Sequence, residues 1–253
     1  MADASPSGIS ARHSPQDSRL TVVVPSLRDD RALAGLLSDL GEQEAAPEQV
    51  IVADGAASED TAALCRRWAA VSVRSPPGRG VQLAAGVTAA RRAWGAPCGA
   101  VTDILWFLHA DCRPHPGAAR RIRAAVAGGA AGGYLRFRFG GEATAVKRML
   151  ERAVALRCRF GAVYGDQGVF ATRAAYEAGP GFDAQPLFEE VPLVRALRRT
   201  GRFVALDVPI TIDPRRWERD GFVRRTLYNR LLAAGYLLGI SPARLAFWYR
   251  GSR

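Results

Sequence analysis

Apolar residues along the chain fall into short runs separated by stretches of helical spacing. LTVVVPSL at 20–27 is a β-branched run closed by Pro25 and Ser26, and it predicts a buried strand. Leu33, Leu36, Leu37 and Leu40 then recur at the spacing of one helix face. EQVIVADG predicts a second strand ending on Asp54-Gly55, and SEDTAALCRRWAA a helix with Ser58 as its cap. VSVRS predicts a third strand, GRGVQLAAGVTAARRAW a helix behind a glycine-rich turn, and DILWFLHAD a fourth strand. Strand and helix alternate, which predicts right-handed βαβ units and an α/β fold with a mainly parallel, Rossmann-like sheet covered by helices on both faces.

The second half changes character. AAGGYLRFRFGG at 130–141 alternates Leu135, Phe137 and Phe139 with Arg136 and Arg138, the pattern of a half-exposed strand. A basic helix is expected over roughly 142–160. YGDQGVFATR gives another short strand, and PLFEEVPLVRALRRTG a helix running from acidic to basic, as the helix dipole favours. RFVALDVPITI is strand-like, and 220–250 holds one or two basic amphipathic helices. No repeat or linker divides the chain. The expected organisation is a disordered polar leader at 1–19, one domain at 20–219 and a helical extension at 220–253.

The chain has 253 residues and a formal net charge of +11. Such a charge suits polyanionic partners, and an arginine-rich genome accounts for it equally well. Cys65, Cys98, Cys112 and Cys158 show no close pairing, so free thiols in a reducing cytoplasm are expected. The longest apolar candidate, LLAAGYLLGI at 231–240, is far shorter than the ~20 residues of a membrane span.

In open α/β sheets ligands bind beyond the carboxyl ends of the strands. Asp29, Asp54 and Asp111 all stand at such ends. A single aspartate there is usually a turn former or helix cap, but three on one edge point to a site. There is no GxxxxGK[ST] loop, no GxGxxG after the first strand, no GxSxG nucleophile and no zinc spacing. A hard divalent cation held by Asp111 and substrate phosphates remains compatible, since such ions need only one or two carboxylates.

Taken together these segments resemble inverting glycosyltransferases of family 2 with the GT-A fold. VVVPSLRDD is similar to the family's first strand and turn, VIVADGAASEDT to its VVDGGSTDGT segment, and FLHADCRP stands where its Asp-x-Asp lies. PLFEEVPLVRALRRTG resembles its Glu-Asp helix and RRWERDG its Arg-Trp element. The combination of HAD, GDQGVF and RRWER is closest to a bacterial subfamily associated with arsenosugar biosynthesis and radical-SAM enzymes. The chain departs from the family pattern at Arg28, at Asp29, at His109 in place of the first Asp, at Ala84, and at Glu190 in the second acidic position.

The resemblance implies transfer of a sugar from a nucleoside diphosphate, UDP most of all, to an unknown acceptor, assisted by Mn2+ or Mg2+. Its donor site would comprise Pro25, Asp29, Asp54, Arg79, Gln82, His109 and Asp111. Asp111 would bind the metal, with His109 as a second ligand, a hydrogen-bonding group or a purely structural histidine. Glu190 would be the general base. Neighbouring residues of a helix point in different directions, so of Glu189 and Glu190 one would face the site and the other cap or pair. Asp166 would bind acceptor or donor sugar, Arg216 the diphosphate, and Trp217 would form an apolar wall. The alternatives are a sugar-nucleotide-binding protein without catalysis, a nucleotidyltransferase of the same fold, and, further off, a nucleic-acid-binding protein, for which no motif exists. The basic tail is expected to touch a membrane surface or a second copy of the chain.

Overall fold

The computed structural model describes residues 18–94 and 102–251. Most of the expected leader, and Cys98, lie outside them. The elements follow in the order β1 (Ser18–Ser26), α1 (Asp30–Gly41), β2 (Gln49–Asp54), α2 (Glu59–Arg67), β3 (Val71–Arg74), α3 (Arg79–Trp94) and β4 (Thr102–Phe107). After these come β5 (Cys112–Pro114), α4 (Ala118–Ala127), β6 (Ala130–Phe139), α5 (Ala145–Arg159), β7 (Phe170–Thr172), α6 (Arg173–Glu177) and α7 (Glu190–Thr200). The chain closes with β8 (Arg202–Ile212), α8 (Arg215–Asp220), α9 (Phe222–Leu237) and α10 (Pro242–Gly251).

The strands form one sheet in the order β3-β2-β1-β4-β7-β6-β8-β5. The β3-β2-β1-β4 half is wholly parallel, as the alternation of strand and helix predicts. β7 then runs antiparallel between β4 and β6, β8 lies parallel to β6, and β5 closes the far edge antiparallel to β8. The sheet is therefore mixed, with its parallel half carrying the βαβ strand ends.

The period of two along the central strands sorts the core into two faces. Leu20, Val22, Val24, Ile104 and Trp106 pack with the leucines of α1, with Cys65 of α2 and with Ile122 of α4. Val23, Ile51, Leu105 and Phe107 pack with Leu83, Val87 and Trp94 of α3 and Leu193 and Leu197 of α7. Burying each such side chain contributes about 1.5–3 kcal/mol, so both faces of the sheet must be covered. Ser58 caps α2 as expected, accepting from the Thr61 N–H at 3.5 Å.

Three features differ from expectation. Ser18 and Arg19 already belong to β1, because Arg19 pairs with Asp103 at 2.7 Å across the sheet. β4 ends at Phe107; the chain turns through Leu108–Asp111, and Cys112–Pro114 joins the opposite edge of the sheet. The packing of the tail goes beyond the expected helical extension: Leu232, Leu245 and Ala246 of α9 and α10 pack on Leu187, just ahead of α7. Cys65, Cys112 and Cys158 are free and buried.

Candidate active site

The carboxyl ends of β1, β2 and β4, the amino ends of α3 and α7, and a single 3₁₀ turn at Gly165–Gln167 meet at one place. The first side chain holding them together is Gln82. Its buried amide donates to the Ser26 carbonyl at 2.7 Å and the Ala53 carbonyl at 2.8 Å, and its oxygen accepts from the Gly78 N–H at 3.2 Å. Asp54 is consumed in a similar way, accepting from the N–H groups of Ala56 at 2.8 Å and Ser58 at 2.6 Å. These two residues, expected in the donor site, thus have their polar atoms committed to backbone and shape the loops around it. Pro25 is likewise buried within β1, its position fixed by pairing opposite Ala53.

Other expected residues are uncommitted. Asp29 stands at the cap position of α1, yet its carboxylate makes no capping bond and has no partner among the described residues. Asp111, half-buried in the turn after β4, has neither ion pair nor side-chain hydrogen bond there. The His109 imidazole also makes no side-chain hydrogen bond among the described residues. Burial first, then the positive charges of Arg79 and Arg216, push its pKa down to about 3, against the pull of Glu189. A neutral imidazole keeps a lone pair free for a cation or a hydroxyl. Its approach requires Gly165, where a Cβ would sit 2.9 Å from His109 Nε2.

The adjacent glutamates divide as helix geometry demands. Glu189 is buried and takes the Arg79 guanidinium at 2.9 Å. That pairing relies on Gly80, where any side chain would collide with the Asp183 carbonyl and crowd Glu189. Glu190 is buried without a cation of its own. Burial and repulsion from Glu189 raise its pKa to about 8, while Arg79 and the N–H groups of Glu190 and Gly165 pull it down. Phe188, just before the pair, has a left-handed backbone (φ 61°), a conformation costing about 1–3 kcal/mol in a bulky residue. Gln185 holds it there by donating to the carbonyls of Leu187 and Phe188 at 2.7 and 2.8 Å.

Asp166 lies in the 3₁₀ turn. Its carboxyl pKa is raised by burial, lowered by Arg157, and raised again by Asp111. Asp166 Oδ1 and Glu189 Oε2 are buried with no hydrogen-bond partner among the described residues. Buried polar atoms are rarely left so, and acceptor atoms of this kind call for a cation or for donated hydroxyls.

Arg216 is exposed and free of ion pairs among the described residues, and its charge is felt at His109. Trp217 is half-buried: its ring meets Phe139 edge-on at 5.2 Å and packs against the core, which anchors α8 to β6. Sequence reasoning missed Arg157, which supports Asp166 and lies 4.1 Å under the Tyr164 ring. It also missed Tyr249, whose hydroxyl accepts from Arg225 at 2.6 Å and acts on Arg79. Nothing in the sequence distinguishes Arg157 from its neighbours on a basic helix. Tyr164 adjoins the aspartate of YGDQ, and that adjacency was its only signal.

No three His, Cys, Asp or Glu side chains among the described residues form a self-sufficient metal cage. The donor set fits a different arrangement. A hard cation shared with a diphosphate needs only one or two protein ligands, and Asp111 with His109 would be the residues to offer them here.

No protein-family model matches the chain, and no curated protein does either. Solved structures do. Glucosyl-3-phosphoglycerate synthase from Mycobacterium tuberculosis, in complex with Mn2+, UDP and glucosyl-3-phosphoglycerate, is 19% identical with a TM-score of 0.53, covering 83% of this chain and 77% of that one. A mannosyltransferase from Pyrobaculum calidifontis, in complex with GDP-Man and Mn2+, is 20% identical with a TM-score of 0.55 over 76% of this chain. This chain spans only 56% of that protein's length. At such identities the likeness establishes architecture: the chain has the GT-A fold of these nucleotide-sugar glycosyltransferases.

Proposed function

We propose that the protein is an inverting glycosyltransferase of the family 2 type, moving a sugar from a nucleoside diphosphate, UDP by preference, to an acceptor hydroxyl. The observation that carries this reading is the convergence, at the strand ends of a GT-A fold, of unengaged Asp111 and neutral His109 with a buried glutamate whose pKa lies near 8. The catalytic domain is residues 20–219, with 220–253 packed beside its site.

Inversion by single displacement needs one base at the acceptor and no protein nucleophile. Glu190 has the burial and the proton affinity for that task, since a base works best with a pKa near the working pH. Arg79 and Arg216 supply the positive charge that receives the diphosphate, and Arg216 offers a fork-like donor set. Asp166 and Glu189 accept hydroxyls of sugar or acceptor through their unpartnered oxygens. Asp29 takes the nucleoside, while Gln82 and Asp54 hold the loops that position it. Mn2+ or Mg2+, held by Asp111 and His109, would offset charge on the leaving diphosphate.

A screen of UDP-, GDP- and dTDP-sugars, reading released nucleoside diphosphate, tests this reading. Turnover of one donor, lost in Glu190→Gln while donor binding persists, is the expected result. Nucleotide binding without hydrolysis or transfer of any donor would point to a sugar-nucleotide-binding protein and overturn it.

A further inference from the structure

Fourteen large apolar side chains are exposed among the described residues, and eleven of them lie within 146–160 and 223–248. Single exposed leucines are ordinary, but concentration on neighbouring elements is not. On α9 the exposed positions are Val223, Arg224, Leu227, Arg230, Leu231, Ala234 and Leu237, followed by Leu238. Its buried positions are Arg225, Leu232 and Gly235. A surface helix normally turns polar residues outward, so this one carries an apolar face without a partner. Leu231 is 70% exposed and Phe247 of α10 76%. On α5 and its cap the stripe continues as Val146, Met149, Leu156 and Phe160.

These helices border one region. α9 starts where the Lys147 ammonium of α5 faces the Phe222 ring at 5.8 Å. It ends where Tyr236 meets Phe188, which meets Tyr164 just beyond α5. That far end is also the edge of the candidate active site, because Phe188 precedes Glu189 and Glu190.

The charge around the apolar stripes has one sign. From 221 to 253 there is no Asp or Glu. Between 143 and 163 the one acidic residue, Glu151, is turned onto Arg138 at 2.7 Å. Arg152, Arg159, Arg224, Arg230 and Arg244 are exposed. None of the five forms an ion pair among the described residues, whereas many arginines elsewhere on the protein are paired.

We infer that α5, α9 and α10 form a docking surface for an anionic lipid bilayer, with the helices lying in the interface. Apolar side chains would enter the acyl boundary while arginines meet lipid phosphates. No helix among the described residues is long and apolar enough to cross a membrane. A second copy of the chain fits the face poorly: a two-fold dimer sets the same patch against itself, bringing unpaired arginines together with no acid to answer them. The inference does not depend on the proposed reaction, and a membrane-bound chain without transferase activity would leave it standing.

Flotation of the full chain with phosphatidylcholine vesicles, and with phosphatidylcholine–phosphatidylglycerol vesicles, tests it. Binding to the anionic vesicles alone is expected, weakening as salt is raised. Each of Arg224→Gln and Arg230→Gln should reduce partitioning roughly fivefold, and Leu231→Asp about tenfold or more. Leu231 is 70% exposed, so folding should survive; Phe247→Ser is a second, independent probe of the same face. Trp248 emission, taken as the difference from Trp248→Phe, should shift to shorter wavelength on anionic vesicles. Absence of anionic-vesicle binding at low salt, or binding unchanged in all four variants, would overturn the inference. So would a dimer in light scattering that Leu231→Asp disperses.

Discussion

Glu190→Gln is the most informative single substitution, because burial makes opposite demands on stability and on catalysis. Glutamine keeps the size of the side chain and an oxygen to accept from the Gly165 N–H, but carries no titrating group. In the unfolded chain the glutamate loses its proton near pH 4.5, and in the folded protein near pH 8. The folded state therefore binds the proton more tightly. This contribution to stability is fully present below pH 4.5 and is lost as pH rises through about 8. At ~1.4 kcal/mol per tenfold difference in proton affinity the loss reaches at most about 5 kcal/mol, and coupling to Glu189 reduces what one substitution recovers to roughly 2–4 kcal/mol. Urea unfolding of both proteins at pH 5, 7 and 9, without divalent metal, measures it. The two should be nearly equal in stability at pH 5, and the glutamine variant the more stable at pH 9. Turnover should move the other way, falling by roughly 10²- to 10⁴-fold with donor binding retained, and wild-type activity should climb towards pH 8 as the base is freed. A stability gap independent of pH, or a glutamine variant less stable than wild type at pH 9, would refute the reasoning.

Gly165→Ala should force the His109 imidazole aside, because the new methyl would lie 2.9 Å from Nε2; affinity for Mn2+ with nucleotide should fall about tenfold, and unchanged calorimetric affinity would contradict the placement of His109. Gln82→Leu removes the partners of the Ser26 and Ala53 carbonyls and should cost roughly 2–4 kcal/mol in denaturant unfolding. A change below about 0.5 kcal/mol, the range of ordinary surface substitutions, would show that the amide does not brace the strand ends.

Much of the fold is legible in the sequence because alternation is a local signal. Val22, Val23 and Val24 declare a strand buried on both faces, and Leu33 to Leu40 declare the helix that covers one of them. α4 is not legible: AARRIRAAVA buries Ala118, Ala119, Ile122 and Arg123, and one large apolar residue among alanines and an arginine does not mark a face. β5 escapes notice because three residues carry no period, and it joins the sheet through a partner, β8, about a hundred positions away. Within the site, the positions of Asp111, Asp166 and Glu190 could be read, but their states could not. Which glutamate is paired is decided by Arg79 on another helix. Asp54 and Gln82 look like ligands in sequence; Asp54 accepts from Ala56 and Ser58 of its own loop, while Gln82 donates to the Ser26 and Ala53 carbonyls, which only folding brings near. The basic amphipathic character of α9 could be read from the sequence, but which of its leucines stay exposed could not.

The central question is whether this site binds a nucleotide through Asp111. Calorimetric titration of UDP and GDP, with and without Mn2+, into wild type and Asp111→Ala decides it. Tight binding of one nucleotide that requires Mn2+, and its loss in Asp111→Ala, is the predicted result. No nucleotide affinity under any condition, or affinity indifferent to both Mn2+ and the substitution, would contradict the assignment of the site.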